Sequence, residues 1–414
     1  MRTLVVSSVM PSPEISGTAI RTGAAIRALS RMGDVDLCCI LGPEGERDYL
    51  TRGGSRRVVA DLQVARQVVL ARPGDTSRGL ARSRWLLSSR LPIKVGARDY
   101  SEVRERFAEW KRDYDLAWLA RAESWVALAD LLDCPIVCDL DDLEDRKIVG
   151  ARTLEAQPVG ARSWLRRRAS ALLNRADVKR WERLHASIAS RAARVVLCSD
   201  LDRERARVPN TAVVPNCYPA PSRPAGSADV SRPPTVMFVG LLTYAPNADA
   251  VAFLVRDVFP VLRGFRPDVE IRLVGRHDGL AETLGPPSGV RFVGQVEDVA
   301  AELAGADVIV VPLRFGSGTR VKVLEAFAHR IPVVATPLGA EGLGARDGVH
   351  LLLGHDADEL ARACDRVLGD ADLRDRLVAS AHELWYSRFR PQHGEEAVRA
   401  VARQALASHP IVRT

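Results

Sequence analysis

The chain has 414 residues, 47% of them hydrophobic and 27% charged, with a formal net charge of +7. That length excludes a single core and suits two domains of about 200 residues, and that balance excludes a largely disordered chain. Seven cysteines, an odd number with no CxxC pair, argue against a disulfide frame or a zinc site and read as reduced core residues.

The N-terminal "MRTLVVSSVMPSPE" is a short apolar run broken by Pro11 and Pro13, so it reads as a first strand rather than a signal peptide. No stretch approaches the roughly 18–20 apolar residues that span a bilayer, and the expected location is cytoplasmic. Further strands are expected at 35–40, 115–120, 135–140, 194–199 and 211–216, each a Val, Ile and Leu-rich run followed by a helical pattern. The segment 42–113 gives no clear pattern. Between Arg146 and Arg194 thirteen Lys or Arg face only Glu155, Asp177 and Glu182. Two readings stand for that stretch: a solvated helical face, or a peripheral contact with the anionic inner face of a membrane. No nucleic-acid motif accompanies the charge, so nucleic acid is not an expected partner.

Residues 219–234, "PAPSRPAGSADVSRPP", have linker composition. The βα pattern then restarts, with strands expected at 235–240, 269–275, 290–294, 307–313, 332–337 and 350–354. The domains so drawn are 1–218, a linker 219–234, and 235–385, with a helical segment 386–414 as a candidate to pack back on the first. Ligands of such sheets gather at the carboxyl ends of the strands.

One of those ends carries the strongest chemistry. After "DVIVVPL" comes "RFGSGTRVKVLEAF", where Gly316 and Gly318 allow close approach of the backbone and the N–H groups of Gly316, Ser317, Gly318 and Thr319 form a concavity suited to an anion. Arg320 and Lys322 then load two cations at a helix start, where they oppose the macrodipole unless an anion is bound. The pattern lacks the GK[ST] of a Walker loop and the third glycine of a dinucleotide fingerprint. Glu325, one turn after Lys322, is placed either to pair with it or to accept hydrogen bonds from two adjacent sugar hydroxyls. A second cluster, "DLDDLED" at 139–145, offers oxygen ligands that Mg²⁺ would accept, or acids that orient an acceptor.

The block "RFGSGTRVKVLEAFAHRIPVVATPLGAEGL", residues 314–343, resembles the nucleotide-sugar-binding signature of the retaining GT-B glycosyltransferases called family four, in a branch with "GSGTR" and "GAEGL". "SGTAIRTGAAIRAL", "CDLDDLEDRK", "VVPNCYP", "FVGLLTYAPNADAVAFL" and "FVGQVEDV" keep the order such proteins show. The resemblance implies an α/β fold of two Rossmann-like, doubly wound domains facing each other across a cleft. It implies transfer of a sugar from a nucleoside diphosphate to a glycan, lipid-linked or small-molecule acceptor, with retention and without a metal or other cofactor.

By resemblance, Glu325 matches the second glutamate of the family's pair and holds the ribose. Ser317 stands where the first glutamate would be, so its hydroxyl and the loop N–H groups take over near the sugar. "GLLTYAPNADA" lacks the arginine and lysine often found after the first donor-domain strand, and Arg320 and Lys322 are inferred to compensate. Gly17 and Thr18 end the first-strand loop. Arg276 and the run Val296 to Asp298 border the base, and Glu341 and Gly342 contact the sugar. No histidine precedes His185, so the acceptor-side histidine of related enzymes has no counterpart, and Asp141 or Asp142 stand in its place. Two alternatives stay open, a nucleotide-sugar epimerase on the same fold and a non-catalytic sugar-nucleotide-binding subunit. A dehydrogenase is excluded because the first strand leads into "SSVMPSPEISGTA" rather than GxGxxG.

Overall fold

The computed structural model describes residues 1–11, 17–42, 62–74, 85, 89–153, 161–221 and 232–408. The chain divides into two compact units, one of Met1–Asn216 with Pro391–Thr414, the other of Cys217–Arg390. Most of the linker composition at 219–234 lies outside the described residues, as do residues 154–160 of the basic stretch and the last six residues of the chain.

The first unit is a seven-stranded parallel sheet in the order β3-β2-β1-β4-β5-β6-β7. Its strands are β1 (Arg2–Ser7), β2 (Asp34–Leu41), β3 (Arg66–Ala71), β4 (Leu116–Ala120), β5 (Ile136–Asp141), β6 (Arg194–Leu197) and β7 (Thr211–Val213). The helices that bear on function are α1 (Gly17–Ser30), α2 (Arg121–Leu128), α3 (Glu144–Thr153) and α4 (Ala161–Arg191). The second unit is a six-stranded parallel sheet, β10-β9-β8-β11-β12-β13. It contains β8 (Thr235–Val239), β9 (Glu270–Val274), β10 (Val290–Gly294), β11 (Val308–Val311), β12 (Val333–Ala335) and β13 (Leu352–Leu353). Its relevant helices are α5 (Ala245–Phe253), α6 (Val299–Leu303), α7 (Val321–Ala328) and α8 (Ala371–Arg388).

Every strand pairing is parallel, so both sheets are Rossmann-like, covered by helices and built from strands buried on both faces. That is why β1, β4, β8 and β11 read as unbroken apolar runs. Strand β3 was not anticipated. Its RQVVLA stretch lies at the sheet edge and keeps only Leu70 fully buried, so it has neither a continuous apolar run nor a strict alternation.

A last helix, α9 (Pro391–Ser408), belongs to the first unit. Val398, Val401, Ala402 and Ala405 join the core formed by α1, β2 and β4, and the buried Glu395 carboxylate accepts from Arg27 at 3.0 Å and faces Arg31 at 3.2 Å. Pro391 stands at its first position, where a missing N–H costs nothing. Six of the seven cysteines are buried, Cys134 is half-buried, and all are free thiols. Among the described residues no helix is long and apolar enough to cross a membrane.

Strand order reverses between β1 and β4 in the first unit and between β8 and β11 in the second. In doubly wound sheets such switch points open a crevice at the carboxyl ends of the strands.

Candidate functional site

At the second unit's switch point, β8 ends in Gly240 and β11 runs into the loop 312–320. Gly240 and Gly275 end β8 and β9 with φ of +150° and +134°. Gly275 sits directly over the Gly240 carbonyl, so no side chain fits there and the strand ends stay open. The loop after β11 turns at Gly316 and Gly318, with φ of +139° and +77°, and Arg320 caps α7 with an extended backbone.

Neither cation at the start of α7 extends into solvent. Arg320 is buried; its Nη1 donates to the Ser317 carbonyl and its Nε to the Leu338 carbonyl at 3.3 Å. The guanidinium lies against Gly316, where a Cβ would meet Nη2 at 3.3 Å. The arginine therefore braces the glycine loop. Ser317 is buried, and its Oγ has no hydrogen-bond partner among the described residues, an arrangement that costs about 1–3 kcal/mol unless something binds there.

Lys322 turns away from α7 toward β8. Its Nζ donates to Asn247 Oδ1 at 3.0 Å, lies 3.8 Å from the centre of the Phe238 ring, and would come within 2.9 Å of a Cβ on Gly240. Burial, and then the neighbouring Arg320 charge, bring the Lys322 ammonium down to about 7 from 10.5, against the opposing influence of Glu325. Glu325 accepts a hydrogen bond from the Tyr218 hydroxyl at 2.7 Å. Burial raises its carboxyl above the usual range, with the Tyr218 bond and the Lys322 charge opposing.

The loop after β12 closes against the same region. Thr336 Oγ1 donates to the Leu313 carbonyl at 2.5 Å and accepts from Gly339 N at 3.0 Å. Glu341 follows in extended conformation and Gly342 at φ +80°. Arg276, after β9, lies 3.3 Å from Asp278. Val296 packs on the core. Asp298 caps α6, accepting from Ala300 N at 2.9 Å and Ala301 N at 3.3 Å, so its carboxylate already has a structural task.

In the first unit the acids of "DLDDLED" are drawn into ion pairs. Arg21, buried in α1, grips Asp139 with Nε and Nη2 at 2.8–3.0 Å and donates Nη1 to the Val214 carbonyl and Asn216 Oδ1. Burial works against the Arg21 charge, but Asp139 and Asp141 outweigh it and raise its pKa. Asp141 accepts from Asn216 Nδ2 at 3.2 Å and Thr18 Oγ1 at 3.4 Å. Asp142 pairs with Lys147 at 2.6 Å and Arg121 at 3.4 Å, and Glu144 with Arg121, Lys94 and Lys147. Arg121 and Asp141, at the ends of adjacent strands, both hold positive φ, 72° and 62°. Non-glycine residues there carry strain of the kind that collects at functional sites. Among the described residues no cluster of three potential metal ligands is present.

The expectation of no imidazole beside these acids needs correction. His185, on α4, belongs to the first unit and is buried with its Nδ1 3.9 Å from Asp145 Oδ1 and its ring against Trp181. Burial lowers its pKa below the usual value, with Asp145 opposing. It was missed because position 185 lies 40 residues beyond the acid stretch in sequence, and only the packing of α4 on α3 joins them.

The second unit's geometry has a counterpart among known proteins: residues 233–370 match the family described as Glycosyl transferases group 1. They form a glycosyltransferase group 1 domain. Relatives of the chain include a phosphatidyl-myo-inositol mannosyltransferase of Mycobacterium leprae, 33% identical over 44% of this chain and 49% of that protein. Another is the lipopolysaccharide core biosynthesis glycosyltransferase LpsE of Rhizobium meliloti, 35% identical over 32% of this chain and 38% of its own length. The chain thus spans half or less of these curated relatives. Among solved structures, HepE of Anabaena in complex with UDP and glucose superposes with a TM-score of 0.62 at 16% identity, covering 98% of this chain and 99% of that one. Sucrose-phosphate synthase of Thermosynechococcus elongatus gives 0.67 at 19% identity, covering 99% and 100%. At such identities the likeness shows the fold alone, two Rossmann-like units of the GT-B class.

Gly316, Ser317, Gly318, Thr319 and Arg320 lie in the loop between β11 and α7, and Lys322 and Glu325 follow in α7, directed to Asn247 and Tyr218. Gly17, Thr18, Asp141 and Asp142 come together in the first unit. Sequence reasoning missed Asn247, Phe238, Gly240 and Tyr218. The signal that could have found Asn247 is the "GLLTYAPN" turn, which places a polar side chain just after a glycine-ended strand.

Proposed function

We propose that the protein is a retaining glycosyltransferase that moves a sugar from a nucleoside-diphosphate sugar to a glycan, lipid-linked or small-molecule acceptor, with no metal or other cofactor. The single observation that carries this reading is the convergence of the Gly316–Thr319 loop, Arg320 and Lys322 at the switch point of a group 1 domain. As the bond from the sugar C1 to the diphosphate breaks, negative charge grows on the departing oxygen. Pre-aimed N–H groups and cations in a water-poor site stabilise such charge more than they stabilise the ground state. Arg320 and Lys322 supply the cations, the loop N–H groups and the unpartnered Ser317 hydroxyl supply the dipoles, and Glu325, held by Tyr218, takes the ribose hydroxyls. Arg276 and Val296 border the base, and Glu341 and Gly342 the sugar.

The first unit holds the acceptor, whose hydroxyl attacks from the face that the diphosphate leaves. Asp141 is the better placed of the two acids to take its proton, since Asp142 is tied to Lys147 at 2.6 Å. A carboxylate in this role accepts the proton late, as a dissociative transition state allows. The relatives named for mannosyl transfer to phosphatidyl-myo-inositol and for lipopolysaccharide core synthesis support lipid-linked or glycan acceptors. The basic face of α4, with Arg168, Arg175 and Lys179 exposed, suits peripheral contact with an anionic membrane from the cytoplasm.

The test is a panel of nucleoside-diphosphate sugars incubated with the protein in chelator and followed by proton NMR of the anomeric signal. The expected result is slow donor consumption with release of a sugar or glycoside of unchanged anomeric configuration. Inverted product, or turnover only after Mg²⁺ is restored, contradicts the proposal.

A further inference from the structure

The turn that follows β8, "GLLTYAPN", contains no cation of its own, yet a cation occupies it. Lys322 reaches it from α7, and the Nζ position is fixed from two sides, by Asn247 Oδ1 at 3.0 Å and by the Phe238 ring at 3.8 Å. Asn247 is buried in the first turn of α5. Its amide has one workable orientation, because Nδ2 donates to the Leu241 carbonyl at 2.8 Å; turned over, the amide would set an NH₂ against the ammonium and an oxygen against the carbonyl. Its main-chain N–H is anchored on the Tyr244 carbonyl at 2.8 Å. The absence of a Cβ at Gly240 leaves the room that Nζ uses.

We propose that Asn247 is a positioning residue for donor binding: it holds the Lys322 ammonium beneath the glycine turn of β8, so that a cation carried on α7 serves the diphosphate at the end of a different strand. The proposal rests on the reading of the second unit as a nucleotide-sugar site. Two features of the arrangement favour it over plain packing. A lysine has many rotamers to lose, and a partner that pre-orders it lowers the cost of meeting the ligand. The partner is also neutral, as is the aromatic ring beneath, so the ammonium is fixed without having its charge cancelled. An aspartate at the same place would hold Lys322 equally well and compete with the diphosphate for it.

The experiment compares wild type with Asn247→Ala and the near-isosteric Asn247→Asp in two assays. The first, without nucleotide, follows the pH dependence of amine-directed labelling at Lys322 by peptide mass spectrometry. The second is calorimetric titration with UDP, GDP, ADP and dTDP. Expected are an Asn247→Ala labelling profile shifted toward that of an exposed lysine, and nucleotide affinity lowered about tenfold, the size of one charge-assisted hydrogen bond. Asn247→Asp should also move the labelling midpoint upward and lower affinity by about a hundredfold, since a carboxylate now competes for the cation. Wild-type labelling and affinity within twofold in both variants overturn the proposal while leaving the nucleotide site standing. Wild type that binds none of the four nucleotides overturns that reading and the proposal with it. A purely structural asparagine would lower the melting temperature and leave the Lys322 profile of the folded protein in place, which also counts against the proposal.

Discussion

The two switch points handle charge in opposite ways. In the first unit, Asp139, Asp142 and Glu144 are each met by an arginine or lysine within 3.4 Å, so the cluster is neutralised by its own fold. In the second, Lys322 is held by a neutral amide and an aromatic ring, and Arg320 donates to two main-chain carbonyls. Burial resists the Lys322 charge, Glu325 opposes that effect, and among the described residues no acid forms an ion pair with it. On the function proposed above, the neutralised cluster serves as scaffold and the cations held by neutral groups receive the diphosphate.

The sharpest way to break this contrast is to remove the cations on one side and the scaffold on the other. Arg320→Ala with Lys322→Ala should lower turnover by about a hundredfold to a thousandfold, the loss typical of transition-state charge stabilisers, while steady-state assays and thermal melting show a protein that still folds. Arg21→Ala should do the reverse. It strands Asp139 in a buried site and should cost about 3–5 kcal/mol in urea unfolding. If Arg21→Ala folds as well as wild type, the scaffold reading of the first unit fails.

A pH series sharpens the comparison further. Among the described residues, the groups facing Lys322 are Arg320 and Glu325 on its own segment, uncharged Asn247 from α5 and uncharged Phe238 from β8. With its ammonium at about 7, Lys322 is partly neutral in the free protein at neutral pH, and a bound diphosphate favours the charged form. Nucleotide affinity should therefore fall by roughly tenfold or more between about pH 7 and 9, with proton uptake on binding across that window. Titration in buffers of different ionisation enthalpy measures that proton directly, and Lys322→Arg should abolish it. The linked stability effect has a definite sign. The folded-state value lies below the unfolded 10.5, so the cost of burying the charge is full below about 7 and fades as pH climbs toward the unfolded value.

The smallest expected effect is at Tyr218. Tyr218→Phe removes one hydrogen bond to Glu325, worth about 1 kcal/mol. It should weaken nucleoside diphosphates a few-fold and leave inorganic pyrophosphate unaffected, because only the ribose is lost. Equal weakening of both would move Glu325 from the ribose to the phosphates.

How much of this was legible in the sequence follows from the range of each interaction. Central strands such as "TLVVSS" and "DVIVVPL" announce themselves because both faces are buried and every residue is apolar. The edge strand Arg66–Ala71 does not, since its burial is mixed. The Gly316–Arg320 turn was readable because it is local: two glycines and two cations within seven positions. Its partners were not, because Asn247 lies 75 residues from Lys322 and Tyr218 lies 107 from Glu325. A neutral asparagine also carries no charge signal that would link it to a lysine. The acid run at 139–145 suggested a metal or a base by composition alone. Only the fold brings in Arg21, Lys94 and Arg121, which satisfy those acids, and His185, which lies beside them.

The most direct test of the central claim is calorimetric titration of the whole protein with the four nucleoside diphosphates in chelator, for wild type and the Arg320→Ala, Lys322→Ala variant. At least one nucleotide is expected to bind wild type without metal, and the variant, still folded, is expected to lose it. Binding that requires Mg²⁺, or that survives loss of both cations, would contradict the account and turn attention to the acid run after β5.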